Sequence, residues 1–190
     1  MKINQIKINQ KKIIFLMIIY LISVNLFQGY CPYTPTIPIY VNNNTEVELV
    51  KEQIAMRNQD DIDFFYLTNE SVSYAFSPYV KESIEELTKI LKSHNYIILF
   101  LKYLINRPRP EQVDSTIKPL NKETAMTPAY PAGHSYQAYL LYKHLSKKYP
   151  EQDDLFRNLA LKCDECRVKA GLHYPSDGEF SRKIVDFLVN

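Results

Sequence analysis

NYIILFLKYLINRPRP, residues 95–110, decides the fold class. Apolar side chains dominate its first eleven positions, which makes a strongly apolar helix. The RPRP run must end it, because proline lacks the backbone N–H and clashes with the preceding turn. On the N-terminal side, Ser77-Pro78 reads as an N-cap with proline at the first helical position. Val80, Ile84, Leu87 and Leu91 then line one helical face. Earlier still, EVELVKEQIAMR (46–57) predicts a first helix, and DIDFFYL (61–67) continues or follows it. On the C-terminal side, residues 111–130 show no periodicity and form a long loop, a feature often functional in a compact domain. Helices follow over about 133–148, 153–170 and 177–189, the last with Phe180, Ile184 and Leu188 on one stripe. No strand pair or repeat is evident, and the expected class is all-α, with one helical domain over 46–190.

The bulk composition agrees with a single core. The chain has 190 residues, 46% of them apolar, enough for one globular domain. A net charge of +2 is too small to argue for nucleic acid as a partner. At the N-terminus, Lys2, Lys7, Lys11 and Lys12 precede the uncharged run IIFLMIIYLISVNLF, residues 13–27. A basic head before a short apolar run is the pattern of a secretory signal. The alternative is an uncleaved membrane anchor, for which the run is short against the usual span of about 17–25 residues. Either reading of residues 1–29 puts the remainder outside the cytosol, after an extended connector rich in proline and asparagine at 30–45.

Cys163 and Cys166 form a CxxC on a predicted helical face with residues 155, 159 and 170. Helical positions three apart hold their Cβ atoms about 5–6 Å from each other, too far for a disulfide, which wants about 3.8 Å. A zinc site needs about four ligands, so buried small side chains are the expectation. Asn43 and Asn69 head glycosylation sequons. His94 and His144 are assigned no role.

The informative residues are polar ones that break the amphipathic pattern. Lys102 interrupts the most apolar helix of the chain after residue 27, where it needs a route to solvent or an anionic partner. Arg109 lies seven positions on, among the prolines. In AYPAGHSY (129–136), Gly133-His134 stands where a loop hands over to a helix N-terminus. Unpaired N–H groups and the helix dipole favour an anion there. In CRVKAGLHYPSD (166–177), Arg167 falls near a helix end and Gly171 is a natural C′ residue. Ser176-Asp177 is the expected cap of the final helix. Arg167, His173 and Asp177 can converge at this corner. An aspartate bonded to histidine Nδ1–H leaves Nε2 free as base or nucleophile.

Taken in order, Lys102 with Arg109-Pro110, then Pro131-Ala132-Gly133-His134, then Arg167, Gly171, His173 and Asp177 resemble the three-part signature of the type-2 phosphatidic acid phosphatase and vanadium haloperoxidase superfamily. The wording is closest to its soluble acid-phosphatase branch. The resemblance implies that Lys102, Arg109, Arg167 and the Gly133 N–H bind phosphoryl oxygens. It implies that His173 attacks phosphorus, that Asp177 stabilises its imidazolium, and that His134 protonates the leaving oxygen and then activates water. It implies a phosphate-ester substrate with neither cofactor nor metal, three fixed cations neutralising the developing charge.

Two departures from the signature matter. Ala132 stands where the family usually has a serine, whose hydroxyl offers the phosphate one more hydrogen bond; Ser135 is one position out of register. Cys166 stands where serine commonly precedes the arginine. Rival readings are a non-catalytic phosphate-binding relative, a vanadate-dependent haloperoxidase, and a lipid-phosphate or pyrophosphate phosphatase at a membrane surface.

Overall fold

The computed structural model describes residues 36–92 and 95–189, together with Phe15, Gly29, Tyr30 and Pro32. The expected signal or anchor therefore lies, Phe15 and Gly29 apart, outside the described residues, and so does His94. Among the described residues every regular element is helical, as the sequence predicts. The helices are α1 (Asn43–Ala55), α2 (Gln59–Asn69), the single turn α3 (Ser73–Phe76) continued by a 3₁₀ turn at Ser77–Tyr79, α4 (Ile84–Lys92) and α5 (Asn95–Ile105). The single turn α6 (Pro110–Val113), α7 (Gly133–Lys148), α8 (Asp153–Lys169) and α9 (Pro175–Val189) complete them.

Helices α7 and α8 form the central pair, with α9 laid along α7 and α2 along α8. Apolar side chains of α3, α4, α7 and α8 make the main core, centred on Phe76, Leu87, Leu141, Leu145 and Phe156. A second cluster of Val47, Val50, Ile117, Val168 and Tyr174 fastens α1 beneath the turn that carries His173. The first cluster packs along α8 from Phe156 to Cys163 and the second reaches its C-terminal end at Val168, next to the corner that carries Arg167 and His173. Among the described residues no helix is long and apolar enough to cross a membrane.

Element boundaries follow local capping chemistry, and several expectations change. Helix α1 starts at Asn43, inside the expected connector, because the Asn42 side chain accepts from the Asn44 N–H. The Ser77-Pro78 pair heads only a 3₁₀ turn. The cap of α4 is Ser83, whose hydroxyl accepts from Glu86 N–H while the Glu86 carboxylate accepts from Ser83 N–H. That reciprocal pair satisfies two orphan donors at once. Pro110 opens the short α6 rather than only stopping α5. Gly171 behaves as expected: at φ 76° it ends α8. Its N–H bonds to Val168 and that of Leu172 to Arg167, the paired bonds of a Schellman turn. Helix α9 begins at Pro175. Asp177 accepts from the Tyr174 N–H from inside the first turn, so Ser176-Asp177 is not an N-cap.

One predicted stripe is broadened and one is rotated. On α8 the expected Cys163, Cys166 and Ala170 are buried, but the buried face extends to Phe156, Ala160, Asp164, Arg167 and Val168 and carries two charged groups inward. On α9 the inward side is Asp177, Gly178, Ser181 and Val185. Phe180, Ile184 and Leu188 instead line a surface groove with Ile97 and Leu101 of α5. Small residues replace large ones there because α9 approaches α8 closely. A Cβ on Gly178 would lie 1.9 Å from the Asp164 carboxylate.

The cysteines match expectation. Cys163 and Cys166 are buried free thiols, and burial raises both pKa values, that of Cys166 to about 11. The sequon asparagines are engaged internally: Asn43 accepts from Arg107, and Asn69, only 7% exposed, accepts from Arg167 and Thr124.

Candidate active site

Six segments bring the predicted residues together: α5, the turn after it, the N-terminus of α7, the end of α8, the α8–α9 turn and the first turn of α9. The first group surrounds His173. Its Nδ1 lies 2.9 Å from Asp177 Oδ2 and its Nε2 3.2 Å from Arg109 Nη1. A guanidinium nitrogen only donates, so Nε2 must be the acceptor and Nδ1 must carry the proton. The ring is thereby held as the Nδ1–H tautomer with its Nε2 lone pair facing a cation. Burial pushes the His173 pKa well below the usual value, and Arg109, Lys102 and Arg167 push it further, so the neutral form prevails.

The second group surrounds His134. Its Nε2 is 3.0 Å from the Asn69 carbonyl, which accepts only, so Nε2–H is the donor. Asn69 also links this ring to Arg167, whose Nη1 reaches Asn69 Oδ1 at 2.9 Å and whose Nη2 reaches the Thr68 carbonyl at 2.8 Å. The Arg167 Nε–H is buried and has no hydrogen-bond partner among the described residues. Burial, then Arg167, lowers the His134 pKa well below its ordinary value, against the Asn69 bond, which raises it; His173 and Lys102 add smaller downward shifts.

Lys102 and Gly133 lie between the two groups. Lys102 is 5% exposed and donates to the carbonyls of Pro128 at 2.7 Å and Ala129 at 3.3 Å. Burial and the neighbouring Arg109 lower its pKa. A Cβ on Gly133, at the first turn of α7, would sit 3.8 Å from Lys102 Cε. The route to solvent or anionic partner that sequence demanded for Lys102 is therefore met only by neutral carbonyls.

One pattern unites the three basic residues. Lys102, Arg109 and Arg167 are each at most 5% exposed. Their hydrogen bonds run to backbone carbonyls, an amide, a hydroxyl and an imidazole. None forms an ion pair with a carboxylate among the described residues. Buried cations are ordinarily paired, so chemically this cluster can accept a multiply charged anion.

Ser135, already one position out of register, is no substitute for the absent serine, since its hydroxyl donates to Asp164 Oδ1 at 2.6 Å. Ala132 is the N-cap residue of α7 and supplies no side-chain cap. Arg107, Glu46 and Asn69 were not singled out for the site. Arg107 stands behind Asp177, Glu46 behind Arg107, and Asn69 between His134 and Arg167. The available signals were the first arginine of RPRP and a glutamate on the apolar side of α1. Cavities flank the loop over the site: one of about 420 Å³ lined by Tyr66, Asn69, Glu70 and Thr124, and one of about 160 Å³ lined by Arg109, Glu111, Gln112 and Lys122.

The fold so described is similar to that of a PAP2-type phosphatase of known structure. A solved structure to which the chain is similar is that of the first transmembrane PAP2 type phosphatidylglycerolphosphate phosphatase from Bacillus subtilis, with a TM-score of 0.56 and 16% identity over 94% of this chain and 92% of that one. At that identity the likeness carries the fold alone. No family model matches the sequence, and no curated protein matches it.

Proposed function

We propose that this protein is a phosphatase that hydrolyses phosphate monoesters through a phosphohistidine, with His173 as nucleophile and His134 as general acid and base. The observation that carries the reading is the set of three buried cations without carboxylate partners, gathered around a histidine whose Nε2 is an acceptor. Nε2 attacks phosphorus, and the P–O bond to the leaving group breaks as the N–P bond forms. The charge appearing on the imidazole is met by Asp177 through Nδ1–H. His134 gives its proton to the departing oxygen, then takes one from the water that cleaves the N–P bond. Lys102, Arg109, Arg167 and the Gly133 N–H hold the phosphoryl oxygens, the arginines through their planar forks. The free Arg167 Nε–H supplies one such donor. No metal ion is required in this scheme, and the neighbouring cavity beside Asn69 gives the leaving group a place on the His134 side.

The reading is tested by phosphate release from a panel of soluble monoesters and dispersed lipid phosphates. Turnover of at least one, without added metal and lost in a His173 variant, supports it; binding of inorganic phosphate with no turnover of any panel member would leave only a binding protein. A second reading, lipid phosphate as the substrate, is favoured by the fold likeness to a transmembrane phosphatidylglycerolphosphate phosphatase and by the basic, then apolar, N-terminus. Under it, dispersed lipid phosphates are turned over and the soluble esters are not. With either substrate the protein works outside the cytosol.

The pH profile follows from the two histidines. Turnover needs His173 neutral and His134 protonated, and both pKa values lie below the ordinary value. The kcat/KM of the free enzyme is therefore expected to peak below about pH 6.5 and to fall as pH rises through the His134 pKa. A profile still rising at about pH 9 would contradict the assigned roles.

Ala132→Ser is a gain-of-function test. A hydroxyl at this N-cap can accept from the first turn of α7 and donate to the phosphoryl group. The first contact is worth about 0.5–2 kcal/mol of stability. The second, at about 1.5–3 kcal/mol for a charged partner, raises kcat/KM roughly 10- to 100-fold. Unchanged kinetics and melting temperature would show that the cavity rejects the hydroxyl.

A further inference from the structure

Arg107 is fully buried, yet it makes five hydrogen bonds and touches none of the three cations assigned to phosphate. Nη1 donates to Asp177 Oδ1 at 2.7 Å and to Ser176 Oγ at 2.8 Å. Nη2 donates to Glu46 Oε2 at 2.7 Å and to the Val41 carbonyl at 3.0 Å, and Nε to Asn43 Oδ1 at 2.9 Å. Its guanidinium lies 3.8 Å from the centre of the Tyr174 ring and 4.5 Å from that of Tyr40. Glu46 completes the frame from α1, its second oxygen accepting from the Ser176 N–H at 2.8 Å. The carboxylate of Asp177 is thus gripped on one oxygen by Arg107 and on the other by His173 and the Tyr174 N–H.

From this frame we infer that Arg107, anchored by Glu46, is a positioning residue that keeps Asp177 ionised and aimed at His173, and so sets the tautomer of the nucleophile. The inference rests on the proposed phosphohistidine reading for its kinetic consequences, but not for its structural one. Asp177 is completely buried, and burial alone raises its pKa. Arg107 is the largest opposing influence, ahead of the Tyr174 N–H, Lys102 from α5 and Arg109. Asp164 of α8 and the phenols of Tyr130 and Tyr174 also lie within electrostatic reach. A neutral Asp177 would no longer hold the proton on Nδ1 as an anion does, and the proton could move to Nε2, where it blocks attack.

The sign of the pH effect is fixed by this chemistry. Activity needs Asp177 ionised and His173 neutral, so it is lost as pH falls through their pKa values. Removing the Arg107 charge raises both, because that charge lowers the pKa of Asp177 and of His173 alike. The acid limb of the profile then moves to higher pH.

The test compares wild type, Arg107→Gln, Arg107→Lys and Glu46→Gln in the full chain, each first checked for folding by circular dichroism and thermal melting. The readouts are the pH profile of kcat/KM and ¹⁵N spectra of labelled imidazoles, with His173 assigned from its own substitution. Arg107→Gln is expected to lower kcat/KM by about 10²- to 10⁴-fold, the scale seen when a triad histidine loses its orienting carboxylate. It should also shift the acid limb upward and move the His173 proton toward Nε2. Arg107→Lys, which keeps the charge but not the fork, should recover at least about tenfold of that loss and restore the limb. A folded Arg107→Gln with an unmoved limb and an unchanged His173 tautomer overturns the inference, even if it is slower. Should Arg107→Gln not fold, Glu46→Gln decides through the tautomer: a His173 proton moved toward Nε2 supports the frame, and an unchanged one overturns it. If wild type hydrolyses no ester, the proposed function fails separately, and the tautomer comparison still decides this inference.

Discussion

His173→Ala is expected to lower kcat for the best phosphate ester by at least about 10⁴-fold, because it removes the atom that forms the covalent intermediate. The fold should survive. His173 sits on the α8–α9 turn, which is built by Gly171 and the Schellman bonds to Arg167 and Val168 rather than by the imidazole. The cations also remain, so affinity for inorganic phosphate should stay within about tenfold, and the variant separates binding from chemistry. Titration calorimetry with phosphate and single-turnover kinetics check both halves. Activity above a few per cent of wild type, measured on protein free of contaminating phosphatase, would remove His173 from the mechanism.

Arg109→Ala carries the second-largest expected effect. This guanidinium is oriented by the Thr127 carbonyl on Nε and the Leu172 carbonyl on Nη1, and the same Nη1 faces the His173 lone pair. It therefore stands where nucleophile and phosphoryl group meet. Each charge-assisted bond to the oxyanion is worth about 1.5–3 kcal/mol, and two of them correspond to a fall in kcat/KM of about 10²- to 10⁴-fold. Arg109→Lys should recover only part, since an ammonium lacks the planar fork and cannot keep both carbonyls and the phosphate. Full recovery with lysine would mean that Arg109 acts as charge alone. In Arg109→Ala the His173 pKa should rise, because Arg109 is the largest charge now lowering it.

Part of the candidate site was legible in the sequence. Lys102 in YIILFLKYLIN conflicts with ordinary amphipathic patterning, whereas Arg109, Gly133-His134 and the Arg167–His173–Asp177 corner were weak singly and stood out through the ordered signature that the sequence resembles. Gly171 was legible because a left-handed residue is needed to stop α8. Other features were not. The stripe Phe180, Ile184, Leu188 looked like the buried side of α9, but close approach to α8 puts Gly178 and Ser181 inward, a packing effect no single-helix period records. The cap at Ser83 competed with the more conspicuous Ser77-Pro78 pair; S-x-x-E at 83–86 was the better signal. Arg107 gave no periodic signal, and Glu46 resembled one more exposed glutamate of α1. Their meeting depends on a tertiary contact between segments 61 positions apart. Asn69 carried a sequon that hid its internal role.

The account depends on a covalent bond between phosphorus and Nε2 of residue 173. The direct measurement is to mix the protein with its best phosphate ester, quench at neutral to alkaline pH in denaturant within milliseconds to seconds, and map the digest by mass spectrometry. The predicted result is one added phosphoryl group on the peptide carrying His173, absent from His173→Ala and accumulating in His134→Ala with a good leaving group, where hydrolysis of the intermediate is slowed. Rapid turnover with no phosphorylated His173 peptide in either protein, or a phosphoryl group on another residue, would contradict it.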